Sequence, residues 1–167
     1  MPIYLNDSDV LPEIADFKSV LIVPCRFCPA ASCALRSNEP YIELFRRFLK
    51  TASYERLIKS MKSSFKQKGI KTSVFKSNLP HQFILCLWTS KRRKKLLKVA
   101  KKFEALVVMG CEAAVQTVRD SVKSTACQVF HGMKSEGVMS VKPEFHLPCN
   151  ILLQLDSITP IQLERQS

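Results

Sequence analysis

Glycine is scarce in this chain of 167 residues, which has only 4, at Gly69, Gly110, Gly132 and Gly137. At that spacing neither a GxGxxG turn nor a Walker-type loop can be built, which argues against the usual nucleotide-binding enzymes. Low-complexity tracts and internal repeats are absent, arguing against long disordered segments. Long apolar runs are missing too. The longest, at 20–24 and 105–109, are the length of a strand, whereas crossing a bilayer takes about 20 residues. The N-terminal Met-Pro-Ile-Tyr-Leu-Asn-Asp-Ser-Asp lacks the basic start and apolar stretch of a secretory signal. A cytoplasmic location and no membrane partner are therefore expected. No pair of carboxylates stands out. Of the 3 histidines, His81 lies in a turn and His131 and His146 in C-terminal loops, where capping or surface roles are commoner than ligation.

Acidic residues are also in short supply: 14 Asp and Glu stand against 26 Lys and Arg, a net charge of +12. Such an excess suits an acidic or nucleic-acid partner without choosing between them. The densest run is Lys91-Arg92-Arg93-Lys94-Lys95, in a basic helix expected to continue to Lys102. Trp88 and Phe103 flank this run but do not interleave with it, so no stacking platform for bases is evident. The first reading is a solvated or docking face for a larger redox enzyme subunit, and the second a nucleic-acid-binding module.

Cysteine, by contrast, is plentiful, with 7 residues. A chain of this length is one ordinary domain, able to bury a core without disulfides. In a reducing compartment the thiols stay free, leaving metal binding, catalysis or packing as their roles.

The hydrophobic pattern alternates between element types. Residues 1–17 carry Pro2 and Pro12 and no periodicity, and are expected to be irregular. The single domain then runs over 18–167. Ser19-Val20-Leu21-Ile22-Val23 reads as a strand buried on both faces. Pro40 marks a helix start, followed by Ile42, Phe45, Phe48, Leu49 and Ala52 at helical spacing. The pattern resumes with Leu57, Ile58, Met61 and Phe65 and stops at Gly69, giving one helix or two joined near Thr51. A strand follows at 70–76 and a turn at Asn78-Leu79-Pro80. The run 83–88 is a buried strand or a helix start. Thr89 and Ser90 are N-caps for the basic helix. The strand at 105–109, a helix over 112–123 and a strand at 127–130 complete the alternation. Strands at 137–141 and 151–155 flank a loop at 143–148. The expected fold is α/β: a single open, mostly parallel Rossmann-like sheet with helices on both faces and a short C-terminal β addition.

In such a sheet chemistry gathers outside the carboxyl ends of the strands. Cys25 and Cys28 follow the first strand, Cys111 follows the strand at 105–109, and Cys86 precedes the basic helix. If those strands are neighbours, four thiols meet at one edge. A CxxC lets two thiolates bind one metal or cluster from a single turn, and with distant cysteines it is the pattern of zinc and iron–sulfur sites. Helix N-termini after Cys28, Cys86 and Cys111 would favour thiolates. Cys127 reads as core packing, Cys86 as core or ligand, and Cys33 and Cys149 as undecided. Thioredoxin-like exchange is the further use of a CxxC, although it requires no third or fourth thiol.

Leu21-Ile22-Val23-Pro24-Cys25-Arg26-Phe27-Cys28, with Cys86 and Ala105-Leu106-Val107-Val108-Met109-Gly110-Cys111, resembles the small iron–sulfur delta subunit of methyl-viologen-reducing hydrogenase. The stretch Gly110-Cys111-Glu112-Ala113-Ala114-Val115-Gln116-Thr117-Val118 resembles a motif in the cysteine-containing partner domain of methylenetetrahydrofolate reductases. The resemblance implies an electron-transfer accessory subunit rather than a catalytic one. It implies an iron–sulfur cluster on Cys25, Cys28, Cys86 and Cys111, with Cys33 the substitute should Cys86 be core. Zinc held by Cys25, Cys28, Cys33 and Cys111 is the alternative. The chain departs from both families in its basicity and in its tail from Gly132 onward.

Overall fold

The structure, a computed structural model, describes residues 2–43, 50–76, 83–147 and 150–161. Its strands are β1 (Ile3–Asp7), β2 (Ser19–Pro24), β3 (Ile42–Glu43), β4 (Lys71–Val74), β5 (Ala105–Met109), β6 (Gln128–His131), β7 (Met133–His146) and β8 (Asn150–Pro160). Its helices are α1 (Leu11–Ile14), α2 (Cys28–Ser37), α3 (Ala52–Gln67), α4 (Ser90–Ala100) and α5 (Glu112–Val122), with a 3-10 turn at Leu85–Leu87.

The expected α/β alternation is present, and a parallel sheet in the order β4-β2-β5-β6 carries it. Its two central strands are apolar at every buried position because both faces are covered: Val20, Ile22, Val23 and Ala105 through Met109 have no accessible surface. Helices α2 and α3 pack on each other, as do α4 and α5. This part has Rossmann-like character.

The rest departs from a single parallel sheet. A second, antiparallel sheet has the order β1-β7-β8-β3. Its first strand comes from the segment expected to be irregular. Leu5 is fully buried, and its N–H donates to Ser32 Oγ at 3.0 Å, while that hydroxyl donates to the Cys28 carbonyl at 2.9 Å. Pairing with β7 through Ile3↔Val138 and Leu5↔Ser135 supplies the remaining backbone partners. A lone five-residue strand offers no periodicity to read, which is why β1 is invisible in the sequence. The loop expected at 143–148 is in part strand, since Pro143 through His146 pair with Leu153 through Asn150. Pro143 lies beyond the reach of β1, which pairs only with 133–138, so one side of β7 is unpaired there and tolerates a residue without an N–H.

Two more expectations fail locally. Ile42 lies in β3, not a helix, because it pairs with Ile151. The helical positions Phe45, Phe48 and Leu49, together with the turn at Asn78, lie outside the described residues. The 83–88 run is neither strand nor helix start. Only Leu85 and Trp88 are buried there, and Leu87 is 70% exposed, so the run folds into one 3-10 turn over the sheet edge.

Candidate functional site

Parallel strands β2 and β5 are adjacent, with Pro24 opposite Met109. The chain therefore leaves both strands at the same edge, and Cys25 and Gly110-Cys111 emerge side by side. The Cys25 N–H donates to the Met109 carbonyl at 2.9 Å, extending the ladder one residue past the strand. A Cβ on Gly110 would lie 3.3 Å from the Cys25 Cβ and 2.6 Å from the Ala114 Cβ. Only glycine permits this approach of the two cysteine-bearing turns.

Cys28 is the first residue of α2, and Cys111 is the N-cap of α5. The neighbouring Cys28 thiol holds Cys111 down at about 6, with the N–H groups of Ala114 and Ala113 adding to the effect. The proximity of Cys111, together with burial, pushes the Cys28 thiol up, and the Ile3 N–H pulls the other way. Of the two neighbouring sulfurs, Cys111 is the one that more readily carries the negative charge. The positive end of α5 supplies further stabilisation of the anion.

Cys25 differs. Burial raises its thiol to about 11 despite N–H bonds from Leu85 and Phe27, and Cys111 and Cys86 push in the same direction through their charge. It is a neutral thiol at the floor of the site. Tyr54 lies beneath, fully buried, with its hydroxyl donating to the Met109 carbonyl at 3.1 Å. Tyr41 is raised to about 12 by burial, with smaller contributions from Cys28 and Cys25. Arg26 bridges outward. Its guanidinium pairs with Glu55 on α3, its N–H donates to the Phe83 carbonyl at 2.7 Å, and it lies 6.0 Å from the Phe83 ring centroid.

The structure thus brings Cys25, Cys28 and Cys111 to one sheet edge. Cys86 stands nearby, exposed on the 3-10 turn and within electrostatic reach of Cys25. Cys33 is not brought in. Five residues of α-helix turn it about 140° away from Cys28, and it lines a separate cavity of about 250 Å³ with Asp7, Arg36 and Ser53. Cys127 precedes β6 rather than lying inside it. Its thiol donates to the Phe103 carbonyl at 3.0 Å at the opposite, amino-terminal end of the sheet. His131 ends β6 at this same carboxyl edge, opposite Val108, and contacts Arg119 at 3.3 Å, whereas His146 lies in the second sheet and contacts Glu144 at 3.5 Å. Cys149 and His81 lie outside the described residues. Among the described residues, no three of His, Cys, Asp or Glu are disposed to hold one metal ion.

The contributions of Ile3, Tyr41, Tyr54 and Glu55 have no local sequence signal, since each arrives from a distant element. Gly110 was visible only as a turn. None of the described helices is long and apolar enough to cross a membrane. The basic helix begins three residues after the 3-10 turn and so flanks the site. Lys91, Lys94, Lys95 and Lys98 are exposed, whereas Arg92 is buried, 4.4 Å from the Phe75 ring centroid and 5.2 Å from that of Trp88. Compared with protein-family models, curated proteins and solved structures, the chain matches none.

Proposed function

We propose that the sheet edge is a thiol redox centre in which Cys111 is the attacking thiolate and Cys28 its resolving partner. The observation that carries this reading is the placement of Cys28, the first residue of α2, and Cys111, the N-cap of α5, at the edge where the neighbouring strands β2 and β5 end. A thiolate near physiological pH, with a second thiol in reach, is the requirement for disulfide exchange. The Cys111 sulfur would attack one sulfur of a substrate disulfide, breaking that bond and releasing a thiolate. Cys28 would then attack the Cys111 sulfur, its proton passing to the departing thiolate. Two electrons move from the dithiol to the substrate, and Cys28 and Cys111 end as a disulfide. The lysine face of α4 beside the site suits docking onto an acidic redox partner.

Oxidation of the intact protein with glutathione disulfide, followed by peptide mapping, tests the reading. A Cys28–Cys111 cross-link that forms and is reversed by dithiothreitol is expected. Cross-links that avoid Cys111, or none, would sink it.

A second reading is a thiolate-ligated metal centre, an iron–sulfur cluster or zinc, in an accessory subunit. The convergence of Cys25, Cys28, Cys111 and Cys86 on one edge favours it. As the side chains stand, they do not form such a site: Cys25 would have to turn from the N–H groups of Leu85 and Phe27 that its sulfur accepts from. Anaerobic purification with assay of iron, zinc and acid-labile sulfide distinguishes the readings. Metal bound in proportion to protein and lost in Cys25→Ser would replace the first reading with the second. Nucleic-acid binding by α4 has no further observation in its favour.

A further inference from the structure

The β7–β8 ribbon alternates in register on either side of one shift between Ser140 and Val141, where Asp156 is the extra residue. One set of facing pairs is Gly137↔Pro160, Met139↔Ile158, Val141↔Leu155, Pro143↔Leu153 and Phe145↔Ile151. The pairs between them are Val138↔Thr159, Ser140↔Ser157, Lys142↔Gln154, Glu144↔Leu152 and His146↔Asn150. Directly opposite residues share a face, and faces alternate along a strand. One face of the ribbon is therefore apolar along its whole length, with no charged or hydrogen-bonding side chain. Met139 is 2% exposed at its root, but Phe145 is 80% exposed, Leu155 43% and Ile158 36%. The outer part of this face, around Phe145, Leu155 and Ile158, is apolar and exposed, and such surface gains stability by packing on another layer.

We propose that this face is the contact surface between two copies of the chain, stacked face to face about a two-fold axis. Charge selects this occupant. Residues 137–160 carry Lys142 against Glu144 and Asp156, a formal charge of −1 (one minus two), in a chain of +12. Lys142 is already paired with Asp156 at 2.9 Å. Two strongly basic molecules can meet here without burying a charge or opposing like charges across the contact, whereas an acidic partner finds nothing on this face to attract it. Size is consistent as well. Ten residues at about 3.4 Å each and two strands about 4.8 Å apart give a face of at most roughly 330 Å² in projection, of which the end at Gly137 and Met139 is already buried. That is below the ~800 Å² per partner of a standard interface, so a weak, concentration-dependent dimer is expected. Because each copy presents the same patch, the contact is isologous and closes at two.

Sedimentation velocity of the full chain over a wide concentration range tests this. The wild type and a polar-face control, Gln154→Lys, are expected to shift from monomer to dimer together. Phe145→Asp combined with Leu155→Asp is expected to stay monomeric, with an unchanged melting temperature and an unchanged Cys111 thiolate titration. Should that double variant fail to fold, Leu155→Gln alone is expected to weaken dimerisation about tenfold. A wild type that is monomeric throughout would overturn the proposal, as would a folded double variant that dimerises like the wild type. A monomer that instead co-sediments with phosphatidylserine vesicles through Phe145 would overturn it too, and assign the face to lipid.

Discussion

At the scale of single residues, the site depends on which neighbour each sulfur has. Cys111 is held at about 6 chiefly by the Cys28 thiol, then by N–H groups at the start of α5. Its thiolate absorbance near 240 nm is expected to rise with a midpoint near that value and to vanish in Cys111→Ser. In Cys28→Ala that neighbour is gone, so the midpoint moves upward toward the value the helix terminus sustains alone. No movement would show that the Cys28 thiol does not hold Cys111 down. Gly110 sets the spacing. Gly110→Ala drives a methyl group against Ala114 and Cys25, and overpacking of this kind costs about 1–3 kcal/mol. Thermal melting should show the loss, and the Cys111 midpoint should shift with it. The CxxC and the Gly-Cys were legible in the sequence as chemistry-bearing turns. The exclusion of Cys33 was not, since it depends on α2 starting at Cys28 and so rotating the next thiol off the face.

At the scale of elements, the apolar runs at 20–24 and 105–109 announced the central strands, because a strand covered on both faces leaves no position for a polar residue. The run at 83–88 had similar composition yet became a 3-10 turn. Composition does not say whether a neighbouring strand is free to pair, and here the Phe83 carbonyl is taken by the Arg26 N–H. The basic helix is likewise two-sided. Arg92, read as part of a lysine and arginine face, is drawn inward onto Phe75 and Trp88, and its guanidinium donates to the Lys76 carbonyl. Arg92→Ala is expected to cost about 2 kcal/mol from lost cation–π and hydrogen-bond contacts. Lys94→Ala on the exposed face should stay within about 0.5 kcal/mol. Equal losses in a denaturation series would refute the distinction.

At the scale of the whole molecule, the buried thiols link folding to pH. Cys111 is depressed below the ordinary thiol value of 9.0, so the unfolded chain binds more protons between pH 6 and 9. Its stabilisation is present above 9 and is lost as pH falls through about 6. Cys25 and Cys33 are raised by burial to about 11, so their contribution is present below 9 and lost as pH rises through 11. Denaturation under reducing, anaerobic conditions should therefore show stability climbing from about pH 6 toward 9 and declining above it. Cys111→Ser should flatten the acid limb, and an unchanged limb would assign it to other groups. The sequence by itself determined the parallel α/β core and the turns that bear Cys25, Cys28 and Cys111, because burial on two faces and tight turns leave local marks in residue type. Only the tertiary structure decided that β2 and β5 are neighbours, that β1 returns to brace Cys28, and that a second sheet exists. Those outcomes rest on pairings between residues as far apart as Ile3 and Val138, and no local pattern of side chains encodes which distant backbone will supply the hydrogen bonds.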